Sequence, residues 1–255
     1  KLITSLGSIT LIGTLVPLDT SCSKNQDSSD IAYADIITLN DMHGAIDQSV
    51  HKTDNEKRAP AIECLLNEYL KIVDEDKLAN NNDNSTYMVL NGDIVQGNNM
   101  TVFSDNTGEW IWDIIGCLPY KYSSIGNHET DWGINQMSGE FSRMGHLKWL
   151  CSNIRFDTNI GQLIENVQDY TIVIVGVLKV GLVGYTSPDV DNQPWEVSKE
   201  YHCLDATDGG EGTEALQKAI DACWKNRDTS ILKGQKPDVV LLLAHAGAVE
   251  DNKGN

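Results

Sequence analysis

Carboxylate, imidazole and amide side chains occur together at four places in the chain, each directly after a short apolar run. These side chains are Asp41, His43, Asp93, Asn127, His128 and His245. Oxygen and imidazole ligands of this kind suit borderline divalent cations. Any one of these motifs alone is typical of an ordinary turn. Four of them at strand ends predict one convergent metal-binding site.

The chemistry that this ligand set favours is hydrolysis at a site with two cations. Two cations about 3.5–4 Å apart polarise a phosphoryl group and activate a water molecule. One carboxylate must bridge both ions, and Asp93 is the natural candidate. Asp41 and His43 would complete the ligands of the first ion. Asn127 and His245 would complete those of the second ion.

The stretch Ser123–Gly133 reads Ser-Ser-Ile-Gly-Asn-His-Glu-Thr-Asp-Trp-Gly and begins within a β-like segment at 121–125. Open α/β sheets place their chemistry in loops at the carboxyl ends of strands. Asp131 lies three residues after His128, so it can reach the imidazole across one turn and raise its pKa. Glu129 is expected to be a solvated turn residue, with a supporting contact to a metal ligand as the alternative.

The elements that position these side chains alternate between strands and helices. Apolar, often β-branched runs predict strands at 35–39, 87–90, 121–125, 149–154, 170–177, 180–185 and 238–244. The fifth and sixth of these form a hairpin whose turn is expected at 178–179. Helical patterns occur at 60–73, 109–117, 131–147 and 209–224. This alternation, without an internal repeat, favours a layered α/β fold with the strand-end loops at one edge.

The charge of the chain restricts its partners. The 255 residues include 37 Asp and Glu against 19 Lys and Arg, which gives a formal net charge of -18. This balance excludes a general nucleic-acid-binding surface, which needs clustered basic residues. It also repels an anionic substrate at long range, so a phosphate ester would need local cations, and metal ions are the expected source. Solubility is the alternative explanation of the acidity.

The six cysteines do not form a recognisable framework. They are Cys22, Cys64, Cys117, Cys151, Cys203 and Cys223. None forms a Cys-x-x-Cys pair, which argues against a zinc ribbon, and their wide spacing is not that of a compact disulfide scaffold. Cys117 and Cys151 lie in apolar surroundings and are expected to be small buried hydrophobic residues.

Residues 1–22 have the layout of a secretory signal, with a basic start, an apolar middle up to Leu18 and small residues before Cys22. The segment is too short for a transmembrane helix, which needs about 20 apolar residues. Cys22 resembles the lipidated cysteine of a bacterial lipoprotein, although Asp19 stands where such sites have an aliphatic residue. The alternative is a first helix packed on the domain.

These features predict three units along the chain. Residues 1–22 would be a lipoprotein-type signal segment, and the polar residues 23–34 a flexible tether. Residues 35–255 would be the catalytic domain. The predicted location is extracytoplasmic, either secreted or at the cell surface, with membrane contact only through a lipid anchor.

The motifs taken in order resemble the calcineurin-like metallophosphoesterases. More narrowly, they resemble the bacterial 5′-nucleotidase and UDP-sugar hydrolase subfamily. The motifs are Asn-Asp-Met-His-Gly (40–44), Gly-Asp (92–93), Gly-Asn-His-Glu-Thr-Asp-Trp-Gly (126–133), Cys-Ser-Asn-Ile (151–154), Val-Gly-Leu-Val-Gly-Tyr-Thr-Ser-Pro-Asp (180–189) and His245. The resemblance spans about 35–247. It implies β-sheets sandwiched by helices, with the metal site at the carboxyl ends of strands.

The resemblance also implies roles for individual residues. The family's metal ligands match Asp41, His43, Asp93, Asn127 and His245. His128 and Asp131 match its catalytic pair. In that pair the histidine stabilises charge on the phosphoryl group or assists the leaving group, and the aspartate orients the ring and favours its protonated form. The implied cofactors are two divalent ions (zinc, manganese, cobalt or iron), and the implied substrate is a small nucleotide.

One departure from the family pattern bears on activity. The family supplies further metal ligands from a Gly-His-x-His or Gly-His-x-Gln segment some tens of residues after the His245 motif, and this sequence has no such segment. The family's C-terminal domain, which holds the base of the nucleotide, is also absent. The chain is therefore expected to be the N-terminal part of a longer protein, with an incomplete metal site and weak or no hydrolysis by itself.

Two other functions are compatible with the same motifs. A 2′,3′-cyclic-nucleotide phosphodiesterase with 3′-nucleotidase activity shares them and stays within the enzyme class. A surface lipoprotein that binds nucleotides without hydrolysing them belongs to another class. Intact Asp93 and His128 argue against the second alternative, since a non-catalytic protein has no need of either side chain.

Overall fold

The computed structural model describes residues 6–14, 31–44, 49–50, 59–79, 85–95, 109–116, 118–131, 147–156, 167–186, 201–204 and 210–246. The strands in these ranges are β1 (Leu6–Thr14), β2 (Ile31–Leu39), β3 (Ser49–Val50), β4 (Ala59–Pro60), β5 (Thr86–Asn91), β6 (Tyr122–Ser124), β7 (Lys148–Leu150), β8 (Ile154–Phe156), β9 (Val167–Gln168), β10 (Tyr170–Val175), β11 (Leu178–Thr186), β12 (Tyr201–Cys203) and β13 (Val239–His245). The α-helices are α1 (Ala61–Ala79), α2 (Glu109–Ile115) and α3 (Glu211–Lys225).

Two sheets carry most of the described chain. The larger has the strand order β1-β2-β5-β6-β7-β9, and all of its neighbouring strands are parallel except β1 and β2. The smaller has the order β10-β11-β13, with an antiparallel hairpin followed by a parallel pair. Because β2, β5 and β6 run in one direction, their carboxyl ends share one edge of the larger sheet.

The two sheets pack face to face. Their shared core joins four residues of the larger sheet to six of the smaller one, namely Ala34, Ile36, Val89, Leu150, Val173, Val175, Leu178, Val180, Leu182 and Leu243. Successive strand residues point to opposite faces. Ile37 and Met88 therefore face the other side of the larger sheet, where they join a core with Trp112 of α2.

Helices cover the outer faces of both sheets. Tyr69 and Ile72 of α1 pack against the core on the outer side of the larger sheet. Ala219 and Cys223 of α3 pack against Ile172 on the outer side of the smaller one. Strands buried on both faces read as continuous apolar runs, which is how they appear in the sequence. The predicted layered α/β fold is confirmed.

Several element boundaries differ from the sequence-based expectation. Helix α1 ends six residues beyond the expected 60–73, and the single strand expected at 149–154 is divided into β7 and β8. The hairpin turns at Gly176 and Val177 and not at 178–179, because Gly176 adopts φ +58, which other residues rarely adopt. The helix expected at 131–147 lies outside the described residues, apart from its two ends.

The predicted N-terminal units are described only in part. Leu6–Thr14 forms β1, antiparallel to β2, and is therefore a strand and not the packed helix of the alternative interpretation. Cys22 and residues 23–30 of the tether lie outside the described residues, so the signal segment, this part of the tether and the lipidation stay predictions. Residues 31–34 belong to β2 and not to a tether. Among the helices of the described ranges, none has the length and apolar character needed to cross a membrane.

Candidate metal centre

Backbone hydrogen bonds hold two strand-end loops against each other at the carboxyl edge of the larger sheet. The amides of Asp41, His43 and Gly44 donate to the carbonyls of residues 92, 93 and 94, at 3.2, 2.9 and 2.8 Å respectively. The pairing of β2 with β5 thereby extends beyond the ends of the strands into the loop after β2. It follows that Asp41 and His43 lie beside Asp93, as the strand-end pattern predicts.

The ligand atoms form two groups that share one carboxylate. In each group the atoms lie within 4.8 Å of one another. The first group is His43, Asp93 and His128, and the second is Asp41, Asp93 and His245. Imidazole nitrogens combined with carboxylate oxygens are a donor set that binds zinc, manganese, iron or cobalt. The residues present therefore fit a divalent cation, and Asp93 belongs to both groups. The other members differ from the expected division, because His43 groups with His128, whereas Asp41 groups with His245.

Asp93 Oδ2 is the centre of this cluster. The Nε2 atoms of His245, His43 and His128 lie 3.1, 3.8 and 4.0 Å from it. Asp93 is only 3% exposed. Burial, the largest single influence, favours the neutral carboxyl, but the hydrogen bond and charge of His245 and the contacts of His128 outweigh it. The pKa of Asp93 is therefore lowered, which favours the ionised form that a cation needs.

His245 at the end of β13 is oriented by its other ring nitrogen. Its Nδ1 lies 2.7 Å from the carbonyl oxygen of Asn91, so an Nδ1–H donates there and Nε2 faces Asp93. Burial disfavours the charged ring most strongly, yet Asp93 and the Asn91 carbonyl together raise the pKa of His245 to about 9. Such outer hydrogen bonds fix the tautomer of a metal-binding histidine.

Asn91 joins three strands beneath the cluster, a role that the residue pattern does not predict. Its side-chain amide donates to the carbonyl of Ala244 at 3.0 Å, and its Oδ1 accepts from the Ser124 hydroxyl at 2.7 Å. These bonds tie the end of β5 to β13 and to β6. Its place directly before the Gly-Asp pair at a strand end was the one sign of this role in the sequence.

His128 and Asp131 form the predicted pair. A 3-10 helix at His128–Thr130 places Nδ1 of His128 2.7 Å from Oδ2 of Asp131. This hydrogen bond is the main cause that raises the pKa of His128, with the charge of Asp93 adding to it against partial burial. The His128 and His43 rings meet edge to face with centroids 5.1 Å apart. With Nδ1 held by Asp131, Nε2 is left on the cluster side.

Asn127 lies directly before this 3-10 helix, and its backbone is adjacent to the cluster. The amide of His128 donates to Asp93 Oδ1 at 2.9 Å, and the Thr130 hydroxyl donates to the Asn127 carbonyl at 2.9 Å. The side chain is half-buried. Its role as a metal ligand stays a prediction.

Three of the cluster residues adopt the left-handed backbone region. Asp41, His43 and Asp93 have φ values of 53, 48 and 53°. This region costs roughly 1–2 kcal/mol for a residue with a Cβ, and Asp is among the residues that tolerate it best. Such conformations persist where surrounding contacts hold them, and they concentrate at functional sites.

Glu129 contradicts the expectation that it is a solvated turn residue. It is 3% exposed, and its carboxylate accepts the amides of Gly126, Asp93 and Ile94 at 2.6, 2.9 and 2.8 Å. The expectation was wrong because the 3-10 helix turns this side chain inward, beneath the two loops. Burial first, and then the charge of Asp93, raise the pKa of Glu129 to about 7.

Gly92 and Gly126 allow the loops after β5 and β6 to meet. A Cβ on Gly92, which has φ +81, would lie 2.6 Å from the Gly126 nitrogen and 2.8 Å from Nδ1 of His245. A Cβ on Gly126 would lie 2.7 Å from Oε2 of Glu129. The cluster therefore depends on two positions where any side chain would separate its parts.

Comparison with known proteins agrees with this architecture. The model of the calcineurin-like phosphoesterase family matches residues 34–253. No curated protein matches the sequence. Among solved structures, the chain is similar to a 5′-nucleotidase precursor from Thermus thermophilus, with 21% identity and a TM-score of 0.55 over 83% of this chain. A putative 5′-nucleotidase from Staphylococcus aureus has 19% identity and a TM-score of 0.62 over 86% of this chain.

A third similar structure is an NAD nucleotidase from Haemophilus influenzae, with 17% identity and a TM-score of 0.56 over 84% of this chain. At these identities the likeness concerns the fold. The chain covers 37%, 38% and 34% of the length of the three structures.

Proposed function

The chain belongs to the calcineurin-like phosphoesterase family, and we therefore propose that it acts in the metal-dependent hydrolysis of nucleotide phosphate monoesters, as a 5′-nucleotidase does. One observation carries the proposal. The Asp93 carboxylate is shared between two groups of imidazole and carboxylate ligands at the carboxyl edge of the larger sheet. Two cations that share one carboxylate are a common arrangement in phosphatases.

The proposed cofactors are two divalent ions of zinc, manganese, cobalt or iron. Asp93 would bind both of them, and the remaining ligands that the resemblance implies would be Asp41, His43, Asn127 and His245. His128 also lies in the first group of candidate ligand atoms, but its proposed role is that of a proton donor. When bound, such ions supply Lewis acidity toward a phosphoryl group and lower the pKa of a water molecule. They also place positive charge at the site itself, which counters locally the repulsion of an anionic substrate by a chain of formal net charge -18.

The chain's own proton donor would be His128. The Nδ1–H donates to Asp131, and this contact raises the pKa of the ring, so the proton on Nε2 is retained to higher pH. A protonated Nε2 can donate to a phosphoryl oxygen, or give its proton to the departing alkoxide of the nucleoside. Asp131 acts through the ring, because it holds the tautomer and the orientation.

The nucleotide as substrate is supported by the similar structures described as 5′-nucleotidases and as an NAD nucleotidase. An extracytoplasmic location belongs to the same proposal, because residues 1–22 have the layout of a signal segment and Cys22 that of a lipidation site. Intact-mass measurement of the protein recovered from cells tests this location. Cleavage before Cys22 would lower the mass by that of residues 1–21, and it would also remove β1.

The test of the function is phosphate release from adenosine monophosphate by the 255-residue chain with added Mn²⁺. We expect weak turnover that a chelator abolishes and that His128→Ala lowers by roughly 10²–10⁴-fold. Hydrolysis that persists with chelator and in the variant would contradict the proposal. Hydrolysis of 2′,3′-cyclic adenosine monophosphate without any release from the 5′-monoester would reject the nucleotidase and favour the cyclic phosphodiesterase.

A further inference from the structure

A buried carboxylate connects the two loops that carry the centre of the metal cluster. These are the 92–94 loop after β5 and the 126–128 loop after β6. Glu129 lies beneath both. Its Oε2 accepts the amides of Gly126 and Asp93, and its Oε1 accepts the amide of Ile94. Three converging backbone N–H groups form an anion-binding concavity, and here the anion is a side chain of the chain itself.

A second hydrogen bond between the loops also ends on Asp93. Its Oδ1 accepts the amide of His128 at 2.9 Å. Both ends of this residue are thereby held, since the backbone amide donates to Glu129 and one side-chain oxygen accepts from the neighbouring loop. The other oxygen, Oδ2, is the one that faces the imidazoles of His245, His43 and His128.

The backbone of Asp93 needs this support. Its φ of 53° lies in the left-handed region, which a residue with a Cβ leaves readily unless its surroundings hold it. Rotation of the Asp93 peptide would break the Glu129 contact and turn Oδ2 away from the cluster. The contact with Glu129 and the direction of Oδ2 are therefore coupled.

We infer that Glu129 is a positioning residue of the metal centre. It locks the 92–94 and 126–128 loops together so that Asp93 presents Oδ2 to both groups of ligands. The inference rests on the proposed function in so far as the cluster binds a divalent cation. Glu129 does not contact the substrate, and its effect on hydrolysis is exerted through the affinity of the centre for its ions.

The chain offers a matched control at the amino end of β5, the strand that precedes the 92–94 loop. Asp76 of α1 is 5% exposed, and its Oδ2 accepts the amide of Ser85 at 2.6 Å and the hydroxyl of Thr86 at 2.8 Å. It is also a buried carboxylate that binds the backbone next to β5. Loss of Asp76 should lower stability without changing the cluster, so it separates a structural effect from a positioning effect.

The experiment is titration of the metal-free 255-residue chain with Co²⁺, followed by visible absorption, for the wild type, Glu129→Gln and Asp76→Ala. The glutamine variant keeps the size of the side chain but turns an NH₂ group toward an amide donor. We expect Co²⁺ affinity to fall by roughly 10–100-fold in Glu129→Gln, as for other residues that support metal ligands. In Asp76→Ala we expect a lower melting temperature and unchanged affinity.

Glu129→Asp keeps the experiment decisive if the glutamine variant does not fold. The shorter carboxylate cannot reach all three amides, so an intermediate loss of affinity is expected. Wild-type affinity in either Glu129 variant would overturn the inference, and so would a loss in Asp76→Ala equal to that in the Glu129 variants. A wild type that binds Co²⁺ but releases no phosphate would contradict the proposed function and leave the inference standing.

Discussion

A buried carboxylate that accepts backbone N–H groups stabilises each end of β5, but the two ends differ in function. At the amino end, Asp76 binds Ser85 and Thr86, where the chain enters a regular strand. At the carboxyl end, Glu129 binds the amides of Asp93 and Ile94, where the chain leaves the strand through a left-handed residue. Only at the carboxyl end does the held residue also carry a ligand.

This difference shows that the energetically unfavourable features of the metal site are concentrated at the carboxyl end of β5. The amino end has ordinary backbone geometry, so its hydrogen bonds contribute to stability alone. The carboxyl end combines a positive φ at Asp93 with a carboxylate that is ionised although buried. Each of these features is unfavourable by itself, and the contacts of Glu129, His128 and His245 offset them. Substitutions at the two ends should therefore separate stability from function.

The largest effect is expected for Asp93→Asn. The change removes the shared negative charge and leaves His245, which it contacts at 3.1 Å, without its partner. Removal of one member of a buried charge pair costs about 3–5 kcal/mol. If all of that energy fell on the bound state, metal affinity would fall by roughly 10²–10⁴-fold. Co²⁺ titration measures the affinity, and a variant that binds within threefold of the wild type would contradict the central role of Asp93.

Asp131→Asn should act on catalysis without removing a ligand. The amide cannot favour the protonated ring as a carboxylate does. We therefore expect kcat to fall by roughly 10–100-fold, which is the usual loss when a residue that orients a functional side chain is replaced. Because Asp131 is the main cause that raises the pKa of His128, the variant lowers that pKa. A proton donor is active below its pKa, so the alkaline limb of the rate profile should move to lower pH.

The pH profile with Mn²⁺ at a saturating concentration measures this shift. Unchanged Co²⁺ affinity in Asp131→Asn is the control, because the predicted role concerns the ring of His128 and not the binding of the ions. An alkaline limb at the wild-type position would show that Asp131 does not set the protonation of His128 during turnover.

The sequence predicts the members of the cluster because each of them ends an apolar run. Parallel strands of one sheet bring their carboxyl ends to one edge, so the position in the chain is enough to place Asp41 beside Asp93. His245 ends a strand of the smaller sheet, so its place beside Asp93 depends on the packing of the two sheets. The layered fold follows in the same way from runs that are apolar on both faces. These inferences depend on periodicity and on strand direction, both of which the sequence carries.

The supporting residues could not be predicted in this way. Glu129 lies on the buried side of a short 3-10 helix, and the spacing of residues in the sequence does not show which side of so short a helix is buried. Asn91 acts partly through its backbone carbonyl, to which every residue type has access. The hairpin turn depends on φ at Gly176, two residues before the expected position. In each case a local backbone angle, and not the residue pattern, decides the outcome.

Replacement of a glycine by alanine near each end of β5 tests the same comparison by adding only one methyl group. A Cβ on Gly126 would overlap the backbone nitrogen and Oδ1 of Asp93 and lie 2.7 Å from Oε2 of Glu129, whereas a Cβ on Gly176 would lie 2.8 Å from the Ser85 hydroxyl, next to the amino end of β5. Overpacking costs about 1–3 kcal/mol where a side chain can move away, as at Gly176, and more where the contact is with backbone, as at Gly126. Both variants should unfold at lower urea concentration. Only Gly126→Ala should also lose metal affinity, by roughly tenfold if about 1.4 kcal/mol of that cost falls on the bound state.

The smallest expected effect concerns two hydroxyl groups that donate hydrogen bonds near the ends of β5, one from Ser124 of β6 and one from Thr86 of β5 itself. The Ser124 hydroxyl donates to Asn91, whose carbonyl accepts from the ring of His245, whereas the Thr86 hydroxyl donates to Asp76. Each bond contributes about 0.5–1.5 kcal/mol, or slightly more to a charged acceptor. Ser124→Ala should therefore weaken Co²⁺ binding by up to roughly tenfold, because Asn91 loses one of the bonds that fix its position under His245. Thr86→Val should lower the urea midpoint by a similar energy and leave the affinity unchanged. Equal affinities in the two variants would mean that the carboxyl end tolerates movement of Asn91, and that the orientation of His245 depends on Asp93 alone.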